Sequence, residues 1–174
     1  MGGNKKGTIS QNTASTYFSI LKAGLKQAFV DEYLTVDIGA KVKGITNIEK
    51  TRVALSMNEV QMLVDTPCKD DVLKRAFLFS ILTGLRHSDI QTLKWKQIQQ
   101  TSKGTWQAVI VQQKTKRPDY KPVIQQALQL CGERPNDEET LVFEGLTDAS
   151  WISRPLKVWI EASGIKKHIT FHCG

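Results

Sequence analysis

One stretch of the chain, residues 84–90 with the sequence GLRHSDI, combines residue types that could bind and act on a phosphate group. It follows an apolar helical run, so Gly84 is predicted to end one helix and Arg86 to stand at the start of the next. The N-terminus of a helix offers unpaired backbone N–H groups and the positive end of the helix dipole. Arg86 would add a planar fork of donors there. The alternative is an exposed arginine that only solvates a turn.

Two further residues carry complementary chemistry: Lys114 in a basic loop, and His172 after the last predicted helix. In phosphoryl transfer, an arginine stabilises the negative charge on the non-bridging oxygens. A lysine can protonate the leaving oxygen, and a histidine can donate to a phosphate oxygen or move the nucleophile's proton. We therefore predict that Arg86, Lys114 and His172 surround one phosphodiester. The alternatives are a solvated hairpin-tip cation at Lys114 and a histidine without a partner at His172.

Asp89 lies one turn after Arg86 and is the acidic residue best placed to support it. We expect its carboxylate to hold the guanidinium in place. The simpler alternative is that an acidic residue in the first turn of a helix complements the dipole. The sequence has no carboxylate cluster suited to Mg²⁺ near these residues and no glycine-rich phosphate loop ending in GK[ST]. These features disfavour a metal-dependent nuclease and a nucleoside triphosphatase.

The first 48 residues are predicted to form a helix and a basic linker. Apolar residues recur at three- and four-residue steps over 13–33, which indicates one amphipathic helix. A single helix cannot bury its own apolar face, so it must pack on the following body, on a second molecule or on helices that lie upstream. Residues 37–50 contain lysines and two glycines without sustained periodicity, which predicts a linker. Such a linker either lies along nucleic acid or is solvated.

Residues 49–174 are predicted to form a second domain that is mainly α with a small antiparallel β-sheet, an α+β fold. Residues 56–59 have the spacing of a capping box and open a helix. The next helix is apolar nearly all round and is predicted to be the buried centre. The other expected elements are a hairpin of 106–112 and 120–124, a candidate third strand at 93–98, an exposed acidic loop at 133–139, and a last helix ending at Ala162 with Pro155 near its first turn.

The composition favours a polyanionic partner inside the cell. The 174 residues, 40% of them hydrophobic, can bury a full core, and the net charge of +7 suits nucleic acid. Candidate DNA contacts are Lys41, Lys43, Lys116 and Arg117. The three cysteines are far apart and lack metal-ligand spacing, which predicts a reducing cytoplasm and no structural zinc. No apolar run approaches the roughly 18 residues that suggest a membrane span.

Three motifs in this order resemble those of the tyrosine recombinases of the phage-integrase family. They most resemble the integrases carried by conjugative transposons of Bacteroides-type bacteria. The motifs are residues 83–90 with Leu93 and Trp95, residues 113–116, and residues 169–173. The resemblance implies the family's catalytic-domain fold over 49–174, and the end of its helical core-binding domain over 1–48. It implies that Arg86 is the first catalytic arginine, Lys114 the hairpin lysine with Lys116 as the fallback, and His172 the histidine of the His-x-x-Arg box.

By that resemblance, the whole protein would attack phosphorus with a tyrosine, cut each DNA strand and rejoin it to a partner strand of a mobile element. The 3′-phosphotyrosyl bond conserves the energy, so no metal, ATP or other cofactor would be needed. Four subunits would act on double-stranded DNA in the cytoplasm, whereas the present chain would be monomeric. The box's second arginine and the nucleophilic tyrosine are not among these residues, and Tyr17, Tyr33 and Tyr120 lie in the wrong places. We expect the chain to bind DNA without cleaving it.

Three other functions are compatible with parts of this pattern. A DNA-binding regulator derived from the same fold would keep the basic surface and lack the chemistry. A type IB topoisomerase-like enzyme would share the phosphotyrosyl mechanism but relax supercoils. A helical protein-interaction domain would have a basic surface that is incidental, and its binding to duplex DNA would be absent or independent of salt.

Overall fold

The computed structural model describes residues 9–49, 53–111 and 117–171. The chain divides into two compact units, Met1–Thr51 and Arg52–Gly174. In the part of the chain that is described, no helix combines the length and the apolar character needed to cross a bilayer.

The first unit consists of a long helix, a short helix and an extended return segment. Helix α1 spans Gln11–Val30 and begins at Ser10, whose side chain accepts a hydrogen bond from the backbone N–H of Thr13. It ends three residues before the predicted boundary at 33. The chain leaves the helix there because Glu32 adopts a left-handed conformation, with φ of 62°. Helix α2, Ile38–Lys41, is a single turn within the predicted linker.

Residues 42–48 of the predicted linker are exposed and have no regular secondary structure, and they return along α1. The Ser15 hydroxyl donates to the Ile45 carbonyl oxygen at 2.8 Å. Asn12 forms two hydrogen bonds with the backbone of Ile48, at 3.0 and 2.8 Å. These bonds join polar side chains of α1 to main-chain groups. Because no apolar side chains are involved, the contact produces no hydrophobic pattern by which the sequence could predict it. Another face of α1 stays exposed and carries the apolar residues Tyr17, Ile20 and Leu21.

The second unit has the mainly helical composition with a small antiparallel sheet that the sequence predicted. Its helices are α3 (Met57–Asp65), α4 (Asp71–Thr83), α5 (His87–Gln91), α6 (Gln125–Cys131) and α7 (Ala149–Ala162). Its strands are β1 (Ile98–Gln100), β2 (Trp106–Val111) and β3 (Pro118–Val123). Helix α6 has no counterpart among the predicted elements, because seven residues are too few to show a helical period.

Helix α4 is the buried centre of this unit, as predicted. Phe77 and Phe79 on it are fully buried. The Phe77 ring packs edge to face with Trp159 of α7, with 5.9 Å between the ring centroids. The preceding helix begins with the predicted capping box: Ser56 accepts from the backbone N–H of Glu59, and the Glu59 carboxylate accepts from that of Ser56. Leu63 of α3 is also fully buried in the same cluster, so α3, α4 and α7 share one core.

The sheet is antiparallel with the order β1-β2-β3. The two strands of the predicted hairpin pair from Trp106 with Val123 at the open end to Val111 with Pro118 next to the connecting loop. The third strand begins at Ile98 and not at 93, because residues Trp95–Gln97 form a turn of 3-10 helix. Strand β1 pairs with β2 through Ile98 and Ala108, both fully buried. The sheet therefore presents one side to the helical core.

One expectation for the later part of the chain is wrong and another is confirmed. Helix α7 begins at Ala149, so Pro155 lies inside the helix and not near its first turn. The helix continues through the proline because Leu156 and Ile160 on the following turns are buried in the core. The acidic stretch at 133–139 is an exposed loop, as predicted, and the Arg134 side chain within it donates to the carbonyl oxygens of Ile98 and Trp95.

Candidate functional site

Arg86 lies where the sequence predicted, between the end of α4 and the start of α5. Gly84 ends α4 in the left-handed conformation with φ of 67°, which is unfavourable for residues with a Cβ, and its N–H donates to the Ser80 carbonyl oxygen. Arg86 follows in extended conformation as the N-cap residue of α5 and is exposed. Among the described residues, no group forms a hydrogen bond or ion pair with its guanidinium. No described group therefore competes with an external anion for the Arg86 side chain.

Buried hydroxyl groups fix the turn that carries Arg86. The Ser80 hydroxyl donates to the Leu85 carbonyl oxygen at 2.7 Å. The Thr83 hydroxyl donates to the Phe79 carbonyl oxygen at 2.7 Å, and the same Thr83 oxygen accepts from the Leu85 N–H at 3.4 Å. The Leu85 side chain is itself buried. The backbone on the N-terminal side of Arg86 is therefore held by both packing and hydrogen bonds, which a sequence motif does not reveal.

Asp89 contacts the backbone of Arg86 and not its guanidinium. Its carboxylate accepts from the Arg86 backbone N–H at 3.3 Å. This geometry corresponds to the alternative in which Asp89 supports the N-terminus of the helix. The Arg86 guanidinium is consequently not neutralised by this neighbour.

The chain that leads to His172 packs against the residue that follows Arg86. The Phe171 ring lies edge-on to the His87 ring, with 5.0 Å between centroids, and edge-on to Phe77 at 5.3 Å. His172 lies outside the described residues. The contact nevertheless brings together the chain neighbours of two predicted site residues, Arg86 and His172.

Lys167 ties the same segment to the start of α3. Its ammonium group donates to the Glu59 carboxylate at 2.6 Å and to the Ala54 carbonyl oxygen at 3.0 Å. Hydrogen bonds from Lys167 and from the backbone of Ser56 lower the pKa of Glu59 from its ordinary value of 4.5 to about 2. Glu59 therefore closes the capping box and anchors the segment before His172.

Because the pKa of Glu59 is lower in the folded chain, its contribution to stability is complete above about pH 4.5. It is lost as the pH falls through about 2. We expect the Glu59→Gln variant, which keeps the capping-box geometry, to melt below the wild type at pH 7 and to approach it as the pH drops towards 2. Thermal melts of both proteins over this range would measure the difference. A gap that does not narrow with acid would contradict this assignment.

The other predicted residues lie between β2 and β3 of the second unit, and at the end of α2 or just after it in the first unit. Lys114 and Lys116 lie outside the described residues, between β2 and β3. Arg117 is exposed directly before β3. Lys41 and Lys43 are exposed in the first unit.

A cleft of about 1000 Å³ between α7 and residues 164–171 was not anticipated from the sequence. His87 and Phe171 contribute to its wall, and cationic side chains including Arg154, Lys157 and Lys166 also line it. These cations are spread over two segments and form no motif. Within ranges 9–49, 53–111 and 117–171, no group of three or more histidine, cysteine, aspartate or glutamate side chains is arranged to hold a metal ion.

Comparisons with known proteins agree with this architecture. The chain matches the family model described as "Phage integrase family" over residues 54–173. No curated protein matches it. Its fold resembles that of the integrase from mycobacterium phage Brujita, with a TM-score of 0.57 and 16% identity over 97% of this chain and 57% of that one.

Two further solved structures share the fold. A lambda integrase tetramer bound to a Holliday junction has a TM-score of 0.67 and 20% identity over 93% of this chain and 51% of that one. The XerA recombinase has a TM-score of 0.54 and 16% identity over 95% of this chain and 66% of that one. The present chain thus spans roughly half to two thirds of these structures. Since the family model covers most of its residues, the chain belongs to the phage integrase family.

Proposed function

We propose that the whole protein is a site-specific tyrosine recombinase that cuts and rejoins DNA strands through a 3′-phosphotyrosyl intermediate. The observation that carries this proposal is the fixed, exposed Arg86, whose guanidinium has no partner among the described residues, in a chain of the phage integrase family. A guanidinium carried by a fixed backbone can bind two non-bridging phosphate oxygens, and it has no ion pair with a described residue to break first.

The proposed roles of the other residues follow from their chemistry. Lys114, or Lys116 in its place, protonates the leaving 5′ oxygen, and His172 donates to a phosphate oxygen or moves the proton of the nucleophile. The contact between His87 and Phe171 supports a short separation between Arg86 and His172, because each ring belongs to the residue next to one of them. No step of this scheme needs a metal ion or a cofactor.

The proposed partner is double-stranded DNA. The net charge of +7 favours a polyanion, and exposed Lys41, Lys43 and Arg117 are proposed DNA contacts together with Lys116. The lambda integrase with a similar fold was solved as a tetramer on a Holliday junction. We propose that the whole protein forms a tetramer in the cytoplasm, whereas these 174 residues alone are monomeric. The proposed substrate of the whole protein is a mobile element of the conjugative-transposon type.

Binding to a labelled duplex over a series of salt concentrations tests this proposal. The logarithm of the association constant should fall linearly with the logarithm of salt concentration, with a slope of about −0.9 for each phosphate contacted. Replacing Lys41 and Lys43 together with alanine should make the slope shallower by about 1.8 if each contacts one phosphate. Binding that is absent at low salt, or that does not respond to salt, would favour the protein-interaction domain instead.

We also propose that these 174 residues bind DNA without cleaving it. Their tyrosines are Tyr17 and Tyr33 in the first unit and Tyr120 on β3, and none follows the His172 segment as the resemblance requires. Incubation with a suicide duplex, followed by denaturing electrophoresis, should yield no covalent adduct. A 3′-phosphotyrosyl adduct with this polypeptide would show that one of the three is a nucleophile.

A further inference from the structure

We propose that His87 is a positioning residue that holds the backbone next to Arg86 and the backbone next to His172 at a fixed separation. This inference rests on the proposed function, because it assigns His87 a task in the phosphate site. The sequence analysis and the proposed phosphate chemistry gave His87 no role of its own.

His87 joins three separate segments of the chain. It is the first residue of α5, and only 5% of its surface is exposed. Its Nε2–H donates to the Thr147 carbonyl oxygen at 3.0 Å, just before α7 begins. Its ring meets the Phe171 ring at an interplanar angle of 81°. The imidazole therefore lies between the start of α5, the turn before α7 and the segment that leads to His172.

The two contacts make different chemical demands, and histidine meets both. The contact with Phe171 needs a flat ring that packs edge-on. The contact with Thr147 needs an N–H donor, because a buried polar group without a partner is costly. Phenylalanine at this position would supply only the ring, and glutamine would supply only the donor.

A displacement of the His87 imidazole would move the backbone next to both Arg86 and His172. Arg86 and His172 are each one peptide unit from the contacting pair, His87 and Phe171. On the other side of Arg86, the Ser80 and Thr83 hydroxyl groups already fix the turn. His87 thus couples this rigid turn to the segment that ends at Phe171, beside the contact that Phe77 of α4 makes with the same ring. A misplacement of about 1 Å in such a constellation can lower the rate of a reaction by about 100-fold.

Gln91 offers a matched control on the same helix. Its Nε2 donates to the Asp148 carboxylate at 2.7 Å, so it also ties α5 to the turn before α7. It has no ring contact with Phe171. Loss of Gln91 should therefore loosen α5 from that turn without releasing the segment that leads to His172.

The test uses the full chain with the variants His87→Phe, His87→Gln and Gln91→Ala, and two readouts. The first is hydrogen exchange of the backbone amides at 169–171. Both His87 variants should exchange there about two- to tenfold faster than the wild type, the range expected when one hydrogen bond or ring contact is lost. Gln91→Ala should leave these amides unchanged. Unchanged exchange in both His87 variants would overturn the proposal.

The second readout is a double-mutant cycle in DNA binding. If His87 positions Arg86, the loss of affinity caused by Arg86→Ala should be smaller in the His87→Phe background, whereas a purely structural role predicts additive losses. If the wild type binds no duplex, the proposed function is wrong. The hydrogen-exchange measurement then tests by itself whether His87 holds the segment at 169–171. Failure of both His87 variants to fold would show that the residue supports the whole unit, and would also overturn the proposal.

Discussion

Replacement of Arg86 with alanine is expected to weaken binding to duplex DNA by about 10- to 100-fold, with no change in melting temperature. A hydrogen bond to a charged group contributes roughly 1.5–3 kcal/mol, and about 1.4 kcal/mol corresponds to a tenfold change in affinity. Stability should be preserved because the exposed guanidinium has no partner among the described residues, and Asp89 contacts only the backbone N–H of Arg86. Fluorescence anisotropy and thermal melts measure the two quantities.

Two variants separate the geometry of Arg86 from its charge. Arg86→Lys keeps the charge but removes the planar fork, so its affinity should fall between those of the wild type and Arg86→Ala. Lys69→Ala removes an exposed charge at the opposite end of α4, roughly 20 Å away along a helix of 13 residues, and should bind almost normally. Equal losses for Lys69→Ala and Arg86→Ala would mean that only the overall charge matters. A fall in the melting temperature of Arg86→Ala would assign that residue a structural role.

Replacement of Phe77 with alanine is expected to lower the free energy of unfolding of the second unit by about 3–5 kcal/mol. The Phe77 side chain is fully buried on α4 and packs edge to face against Trp159 of α7 and against Phe171. Its removal would leave a cavity where α4, α7 and the segment before His172 meet. Urea unfolding monitored by circular dichroism measures the change.

An exposed aromatic residue provides the comparison for Phe77. Trp151 on α7 is 75% exposed, so Trp151→Ala should change the free energy of unfolding by no more than about 0.5 kcal/mol. Phe77→Ala should also increase hydrogen exchange at 169–171, because Phe171 loses one of its two ring partners. A loss below about 1 kcal/mol for Phe77→Ala would show that the surrounding helices close the cavity.

Features that depend on neighbouring residues could be predicted from the sequence. The capping box at Ser56 and Glu59, the apolar helix α4 and its end at Gly84 all occur as expected. Each depends on residues within one or two helical turns, whose spacing is visible in the sequence. The position of Arg86 at the start of α5 follows from the same local rules, since a left-handed glycine ends one helix and an extended residue begins the next.

Features that depend on distant partners could not be predicted in this way. The return of residues 42–48 along α1 depends on the bond from Ser15 to Ile45, and the docking of the acidic loop depends on Arg134 reaching Ile98. The hydrogen bond of Asp89 to the Arg86 backbone is local. However, a carboxylate at that position can bond to either the backbone or the guanidinium, so the sequence left both alternatives open.

The sequence by itself therefore determined the four longest helices, the hairpin, the arginine at a helix start and the resemblance to the family. These follow from short-range periodicity, capping and motif order. Only the tertiary structure decided that His87 is buried between Thr147 and Phe171, and that Lys167 anchors the segment before His172 to Glu59. The physical reason is that these contacts join residues about 60 to 108 positions apart, and their energies depend on burial and geometry that exist only once the core has formed.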